Sequence, residues 1–282
     1  MVISVKGGRR GFYSNILWYL NNCHYAEMTD SEIVFKEFSP HYCDNIEDGF
    51  YQFYRKIDID KNKKYNKNFS HIKDLEDIRY FKNTQICGFI LDEEIRKYIN
   101  FLDKNYLILK PHILNKIDFL SKKLENRKVL GVHIRQTDLY TSNMDKKMDK
   151  PLDIKIYLNK IEENIKNFDL IYLMSDNKKS IQTIKEYFKN IPIFNLNTSL
   201  LSENEKDQPL FRTDNKLNKY KLGEDIILET EILSKCNKIL VTNSNISSYT
   251  LIKNIEIDFE YLDLGISKCF FKNYEKSLKD GI

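Results

Sequence analysis

The sequence predicts an α/β fold with a parallel, Rossmann-like sheet in its C-terminal half. After Lys128, short apolar runs of strand length alternate with segments of helical length and periodicity. Polar and charged residues follow several of these runs directly, which is where the strands of an α/β sheet present ligand-binding side chains. The chain has 282 residues, of which 41% are hydrophobic, so it can bury a sizeable core.

The N-terminal half is predicted to begin with a strand, a glycine loop and a helix. Val2 to Val5 has the composition of a strand, and a loop through Gly11 leads into a helix from about Ser14 to Glu27. Apolar residues cover much of the circumference of this helix, as expected for one that packs on a sheet. The other elements predicted here are a strand at Ile33 to Phe35, insertions with short helices from Tyr42 to Phe81, and helices at Phe89 to Leu102 and Pro111 to Leu124.

Strands and helices alternate through the predicted C-terminal half. No GxGxxG sequence follows any of its strands, so the dinucleotide-binding fingerprint is absent. The predicted strands are Val129 to Ile134, Leu170 to Met174, Ile191 to Phe194, Ile239 to Thr242 and Phe259 to Leu262. The predicted helices are Leu152 to Phe168, Lys179 to Phe188, Glu224 to Ser234, and one that starts near Asn245.

Composition and charge exclude several classes of protein. The 45 Lys and Arg residues nearly balance the 41 Asp and Glu residues and form no basic stripe, which argues against nucleic-acid binding. The five cysteines are widely spaced and contain no CxxC pair, so we expect free thiols and no structural zinc site. The sequence has no apolar stretch long enough for a signal peptide or a membrane span, so we expect a soluble, cytoplasmic protein.

The most informative segment runs from Leu130 to Tyr140, where basic and acidic residues follow an apolar strand. Arg135 is the first candidate for binding a diphosphate, because a guanidinium carries five donors in a planar fork that matches phosphate oxygens. Asp138 either orients Arg135 or acts as a base. We favour the orienting role, because a neighbouring arginine lowers the basicity of a carboxylate. His133 is a further candidate, although a lone strand histidine is more often a hydrogen-bonded core residue.

Two later strand ends carry more polar candidates. Ser244, Ser247 and Ser248 lie where a strand turns into a helix, so their hydroxyls and the nearby backbone N–H groups can hold a phosphate. The same serines are also favoured helix caps in the absence of any ligand. Ser175 and Asp176 end another strand, and helix capping by Asp176 is again the alternative to ligand binding.

Three segments of the chain, in this order, resemble motifs of the GDP-fucose-dependent fucosyltransferases. This superfamily includes the α1,2-, α1,6- and protein O-fucosyltransferases and the bacterial nodulation enzymes. The segments are His133 to Asp138 (His-x-Arg-x-x-Asp), Tyr172 to Asn177 (a strand ending in Ser-Asp) and Val241 to Tyr249 (Asn-Ser-x-x-Ser). They cover roughly the C-terminal half. The N-terminal half resembles the family in its glycine loop and the helix that follows.

The resemblance implies a GT-B-like enzyme with two Rossmann-like domains, an acceptor-side domain at residues 1–125 and a GDP-sugar-binding domain at residues 126–282. It implies inverting transfer of fucose, a hexosyltransferase reaction, from a GDP-sugar to a glycan hydroxyl, with no metal or other cofactor. The catalytic residues that it implies are Arg135, His133 and Asp138. The donor-binding residues that it implies are Gly8, Arg10, Gly11, Asn15, Ser175, Asp176, Asn243, Ser244, Ser247 and Ser248, with Asp176 accepting hydrogen bonds from guanine.

One departure from the family pattern leaves the identity of the donor sugar undecided, and the catalytic base is also undecided. Many relatives carry a second arginine where this chain has Gln136, so either Arg9 or Arg10 replaces that charge, or the donor is another GDP-deoxyhexose or a GDP-heptose. A non-catalytic nucleotide- or glycan-binding module is the alternative outside the transferases. The acceptor is predicted to be a bacterial surface polysaccharide or lipopolysaccharide, with peripheral membrane contact through it, and no oligomeric state is predicted. Further candidates for the base are Glu27, Asp30 and Asp145.

Overall fold

The computed structural model of the protein describes residues 2–9, 11–56, 93–136, 152–199, 201–202, 218–242 and 244–262. Within these ranges the chain is an α/β structure with two parallel sheets. No helix among them is long and apolar enough to cross a membrane. Cys23, Cys43 and Cys236 lie in these ranges as buried free thiols, as the sequence predicted.

A small parallel sheet and its crossover helix form the first part of the chain. Strands β1 (Val2–Lys6) and β2 (Glu32–Glu37) pair in parallel, and helix α1 (Phe12–Met28) connects them. Twelve of the 17 residues of α1 are buried, in agreement with its largely apolar circumference. A short helix α2 (Phe50–Phe53) follows, and both of its phenylalanines enter the core beside α1.

Two helices lead from this part of the chain to the larger sheet. They are α3 (Glu93–Tyr106) and α4 (Pro111–Ser121), both close to their predicted positions. Pro111 occupies the first turn of α4, where a missing backbone N–H removes no helical hydrogen bond. Helix α3 packs against α1.

The larger sheet has five parallel strands in the order β5-β4-β3-β6-β7. Numbered along the chain within this sheet, the order is 3-2-1-4-5, as in Rossmann-type nucleotide-binding folds. The strands are β3 (Val129–Ile134), β4 (Leu170–Ser175), β5 (Ile193–Phe194), β6 (Lys238–Val241) and β7 (Asp258–Tyr261). The helices between them are α5 (Ile154–Ile165), α6 (Lys178–Tyr187), α7 (Lys219–Leu233) and α8 (Asn245–Lys253). The predicted parallel sheet is confirmed.

Helices cover both faces of this sheet, and the alternation of side chains along β3 decides which residues reach which face. The even-numbered residues of β3 enter an apolar cluster with α5 and α6, whereas Val129 belongs to the cluster with α7 and α8. Gly131 allows close approach on the second face, since a Cβ there would lie 2.8 Å from Leu233 Cδ1. His133 shares that face and therefore points toward α7 and α8.

One apolar cluster connects the first part of the chain to the larger sheet. It includes residues of α1, β2, α2 and α3 and continues into α7 and α8. Helix α3 contacts α8 as well as α1, and α4 packs against α7. The division into domains at residue 125 stays a prediction.

Candidate functional site

The strand order places a reversal point between β3 and β6. From β3 the chain continues to β4 on one side of the sheet, and from β6 it continues to β7 on the other. In open parallel sheets, ligands bind at this reversal, outside the C-terminal ends of the strands. The residues that follow Ile134 and Val241 therefore define the candidate site.

His133 connects β3 to the start of α8. Its side chain is buried, and its Nδ1 lies 3.0 Å from Ser247 Oγ and 3.4 Å from Ser244 Oγ. Ser244 is also the N-cap of α8, because its Oγ accepts a hydrogen bond from the backbone N of Ser247 at 3.0 Å. Helix capping, the alternative role considered for these serines, is thus confirmed for Ser244. Capping and contact with the histidine occur together.

Two buried hydroxyls of the described residues adjoin this cluster. Among the residues that the structure describes, neither Ser248 Oγ nor Thr242 Oγ1 has a donor or acceptor within reach. An unpaired buried polar group destabilises a fold by about 1–3 kcal/mol. The start of a helix also leaves backbone N–H groups without intrahelical acceptors and carries a partial positive charge. A helix start with unpartnered hydroxyls beside it is a candidate binding site for a phosphate.

Arg135 and Gln136 follow β3 at the same edge of the sheet. Arg135 is partly buried. The backbone N of Gln136 donates to Asp176 Oδ1 at 2.9 Å, and its Nε2 donates to the carbonyl oxygen of Leu152 at 3.1 Å. Leu152 belongs to the apolar cluster of α5 and α6, so the Gln136 amide lies on the face of the sheet opposite the serines. In this conformation the side chain at position 136 does not point toward the start of α8.

The end of β4 presents Asp176 beside this loop. Ser175 is buried, and its Oγ accepts a hydrogen bond from the backbone N of Asn177 at 3.1 Å. The helix-capping role considered for Asp176 is wrong, because Asn177 caps α6 by accepting from Ser180 N at 2.9 Å. Asp176 instead binds the backbone of the β3 loop through its Oδ1. An ionised carboxylate has about four acceptor positions, so it can bind a loop and a ligand at the same time.

Two buried carboxyl groups of α7, those of Asp225 and Glu229, were not among the predicted site residues. Asp225 Oδ2 accepts hydrogen bonds from the backbone N and the Oγ of Ser199, at 3.0 and 2.7 Å. Glu229 Oε1 accepts from Thr198 Oγ1 at 3.0 Å. Burial raises the pKa of Glu229 to about 8, and the charges of Asp225 and Asp176 act in the same direction. Glu229 is therefore mostly protonated at pH 7, and these two carboxyl groups anchor the segment that follows β5.

The glycine loop lies at the start of α1, and its conformation depends on Asn15. The backbone N of Gly8 donates to Asn15 Oδ1 at 2.8 Å, and Asn15 Nδ2 donates to the carbonyl oxygen of Gly11 at 3.2 Å. Asn15 is only 1% exposed, so its amide organises the loop from within. The ring centroids of Tyr13 and Tyr249 are 4.4 Å apart, which places the start of α1 beside the serine-bearing helix α8.

The structure does not bring two of the proposed bases to this site. Glu27 and Asp30 lie in and just after the last turn of α1, roughly 20 Å along the helix from its start. Glu27 accepts a hydrogen bond from the hydroxyl of Tyr106. The other base candidate, Asp145, and three predicted site residues, Arg10, Asp138 and Asn243, lie outside the described residues.

Comparison with known proteins identifies the fold. No protein-family model matches the chain, and no curated protein sequence does. The NodZ α1,6-fucosyltransferase soaked with GDP-fucose matches over 90% of this chain and 91% of its own, with 11% identity and a TM-score of 0.53. The fucosyltransferase NodZ from Bradyrhizobium matches over 91% and 92%, with 12% identity and a TM-score of 0.52. POFUT1 in complex with GDP-fucose matches over 92% and 97%, with 11% identity and a TM-score of 0.51.

These matches extend over almost the whole chain at very low sequence identity. The chain therefore has the fold of NodZ and POFUT1. The resemblance to GDP-fucose-dependent fucosyltransferases, which the sequence predicted from three short motifs, is confirmed as a likeness of fold.

Proposed function

We propose that this protein is a GDP-sugar glycosyltransferase that transfers fucose, or a closely related sugar, to a glycan hydroxyl. The observation that carries the proposal is the cluster at the start of α8, where His133 meets two serines. Beside it lie two buried hydroxyls that have no hydrogen-bond partner among the described residues. This cluster lies at the sheet reversal, next to Arg135. The fold around it is shared with NodZ soaked with GDP-fucose.

The start of α8 is the proposed binding site for the diphosphate of the donor. Ser248 and Thr242 supply hydroxyls, and the first turn of the helix supplies backbone N–H groups and a partial positive charge. His133 holds Ser244 and Ser247 in place from the sheet side. In this proposal His133 positions the serines and does not transfer a proton.

Arg135 is the proposed stabiliser of the departing diphosphate. In the reaction the bond from the sugar C1 to the diphosphate oxygen breaks, and the acceptor oxygen bonds to C1 from the opposite face. The acceptor hydroxyl loses its proton to a base, and the configuration at C1 is inverted. Negative charge grows on the diphosphate as the bond breaks, so a preorganised guanidinium stabilises the transition state more than the bound substrate. Among the predicted bases, Asp138 and Asp145 remain candidates, and Asp138 is the preferred partner of Arg135.

Asp176 is the proposed acceptor for guanine. It follows β4 and is held by the β3 loop through its Oδ1, and a carboxylate in this place can accept from the N1–H and the exocyclic amine of the base. A site built to accept these two hydrogen bonds discriminates strongly against bases that lack the donors. The neighbouring Glu229 is mostly neutral at pH 7, which limits charge repulsion around Asp176.

The identity of the transferred sugar and the acceptor are further parts of the proposal. Gln136 was the main argument for a donor other than GDP-fucose, and its hydrogen bond to Leu152 weakens that argument. Glu27 and Asp30, two of the candidate bases, lie far from the site. A non-catalytic nucleotide- or glycan-binding module therefore remains the alternative outside the transferases. We propose a cytoplasmic role in bacterial surface polysaccharide synthesis.

A thermal-shift panel of GDP, UDP and ADP tests the nucleotide. A ligand at 100 times its Kd adds about 2.7 kcal/mol of stability. For a protein of this size the shift in Tm is about 5–10 °C. We expect GDP alone to produce it, and a shift with UDP or ADP but not GDP would contradict the guanine assignment. Release of GDP from GDP-fucose that depends on an added glycan then separates a transferase from a binding module.

A further inference from the structure

A buried polar cluster holds α8 against its neighbouring helices. Asp103 of α3 is 1% exposed. Its Oδ1 accepts a hydrogen bond from the hydroxyl of Tyr249 at 2.5 Å, and its Oδ2 lies 3.1 Å from Lys253 Nζ. Lys253 also pairs with Glu231 of α7 at 3.1 Å. The cluster thus links α3, α7 and α8.

Two asparagines hold the C-terminal end of α8. Asn100, one turn before Asp103 on α3, donates from its Nδ2 to the carbonyl oxygens of Ile252 and Lys253, at 2.8 and 3.2 Å. Asn254 donates to the carbonyl oxygen of Ser234 at the end of α7, at 2.8 Å. These bonds satisfy backbone acceptors that the end of a helix leaves open. Helix α8 has nine residues and is about 13 Å long, so contacts at its last turns control where its first turn points.

Stability alone is a weak explanation for this cluster. Replacing a buried ion pair with well-packed apolar residues is often neutral or stabilising, because desolvation offsets much of the attraction. Apolar packing, however, is not directional. Hydrogen bonds from a hydroxyl and an ammonium to a carboxylate set a direction and a distance. Tyr249 follows Ser248 immediately in the chain, so a contact that fixes Tyr249 also fixes the start of α8.

We propose that Asp103 is a positioning residue for the donor diphosphate site. By holding Tyr249 and Lys253, it aims the first turn of α8, with Ser244, Ser247 and Ser248, at the phosphate position. This inference rests on the proposed function. It assigns α3, from the part of the chain that precedes the larger sheet, a role in donor binding that it exerts without touching the donor.

The test compares ligands with and without the diphosphate. Tyr249→Phe removes only the hydroxyl that Asp103 holds, and we expect its Kd for GDP to rise at least fivefold while its Kd for guanosine stays within twofold of the wild type. Asp103→Asn, which loses the ion pair with Lys253, should give the same pattern and serves if Tyr249→Phe folds poorly. Isothermal titration calorimetry on the full chain measures both constants.

Tyr106→Phe is the matched control. Tyr106 is a buried tyrosine of α3, the helix that carries Asp103, and its hydroxyl donates a hydrogen bond to Glu27 of α1. The variant therefore removes a comparable bond on the side of α3 that faces α1. We expect it to lower the Tm without changing either Kd. Equal weakening of GDP and guanosine in Tyr249→Phe, or no weakening, would overturn the positioning role. Wild-type protein that binds guanosine and GDP equally would overturn the diphosphate site itself, and this inference with it.

Discussion

Arg135 is the side chain on which the proposed chemistry depends most directly. Arg135→Lys keeps the positive charge but loses the planar fork that engages two phosphate oxygens. We expect turnover of GDP-fucose to fall by at least ~10²-fold, the usual effect of removing one preorganised transition-state donor. GDP binding should weaken less than turnover, because the full charge on the diphosphate develops only as the bond breaks. Steady-state kinetics and GDP titration measure the two effects.

Asp138→Asn provides the comparison for Arg135→Lys. If Asp138 only orients the arginine, its amide variant should lose less activity than Arg135→Lys. A larger loss in Asp138→Asn would instead assign that carboxylate the role of base. Near-full turnover by a folded Arg135→Lys protein would mean that the motif after β3 is structural, and the transferase proposal would lose its main residue.

At the scale of elements, two serines at the start of α8 differ in their hydrogen bonding. Ser244 caps the helix, so Ser244→Ala should destabilise the protein by about 1 kcal/mol. Ser248 has a buried hydroxyl without a partner among the described residues, so Ser248→Ala should not lower the free energy of unfolding and should raise it by up to about 1–3 kcal/mol. Both variants should bind GDP more weakly. Urea unfolding without ligand and GDP titration test this pattern.

Two outcomes would contradict this pattern. A Ser248→Ala protein that loses as much stability as Ser244→Ala would show that the Ser248 hydroxyl has a partner in the folded protein. Unchanged GDP affinity in both variants would remove the start of α8 from the donor site.

Helix α7 provides a second prediction at this scale, at its contact with α2. Gly223 faces Phe53, and a Cβ at position 223 would clash with Phe53 Cζ. Alanine favours a helix over glycine by about 1 kcal/mol, but overpacking a core costs about 1–3 kcal/mol. Phe53 is fully buried and stacked on Tyr220, so it has little room to move. We expect Gly223→Ala to be destabilising in urea unfolding.

Phe53→Leu tests whether the ring is the cause. In a double-mutant cycle, Gly223→Ala should cost less in the Phe53→Leu background than beside the native Phe53, because the smaller side chain removes the clash. Strictly additive effects would mean that the helix accommodates the methyl group elsewhere.

Most elements of the larger sheet could be predicted because apolar runs and helical periodicity are local properties. The start of α7 was predicted at Glu224, but the helix begins at Lys219, where Asn218 caps it by accepting from Lys221 N at 2.9 Å. Short helices were predicted between Tyr42 and Phe81, but the bounds of α2 were not, because its aromatic residues lie in a segment without clear periodicity. Its position depends on rings from α1 and α7, which no local pattern specifies.

The candidate site was predicted in part for the same reason. Strand ends identified His133, Asp176 and Ser244, but the contact between His133 and Ser247 joins residues 114 positions apart and could not be read from either motif. The unpartnered hydroxyls are also a property of the packed structure. Glu229 and Glu231 share one signal in the sequence, since both are carboxylates in the otherwise largely apolar segment from Ile226 to Leu233.

For the molecule as a whole, the continuous core contains ionisable groups whose burial makes stability depend on pH. Burial lowers the pKa of His24, in α1, to about 4. Burial raises the pKa of Glu229, in α7, to about 8, well above the ordinary value of 4.5. The stabilising effect of neutral His24 is complete above its ordinary pKa of 6.5 and is lost as the pH falls toward 4. That of protonated Glu229 is complete below 4.5 and is lost as the pH rises toward 8.

These two groups predict the shape of the stability profile. Between about pH 4.5 and 6.5 their effects oppose each other, whereas above 6.5 only Glu229 of the two still changes its proton balance on unfolding. Burial also raises the pKa of Glu231, which acts in the same direction as Glu229. We therefore expect the free energy of unfolding to fall from pH 6.5 to 8, by up to ~1.4 kcal/mol per pH unit. Glu229→Gln should make this decline shallower, because an amide does not titrate and can still accept from Thr198. His24→Gln should instead extend the decline to lower pH, because the opposing effect of His24 on the free energy of unfolding is then absent. Urea unfolding at half-unit steps of pH measures all three profiles, and parallel wild-type and Glu229→Gln curves above pH 6.5 would show that Glu229 is already ionised in the folded protein.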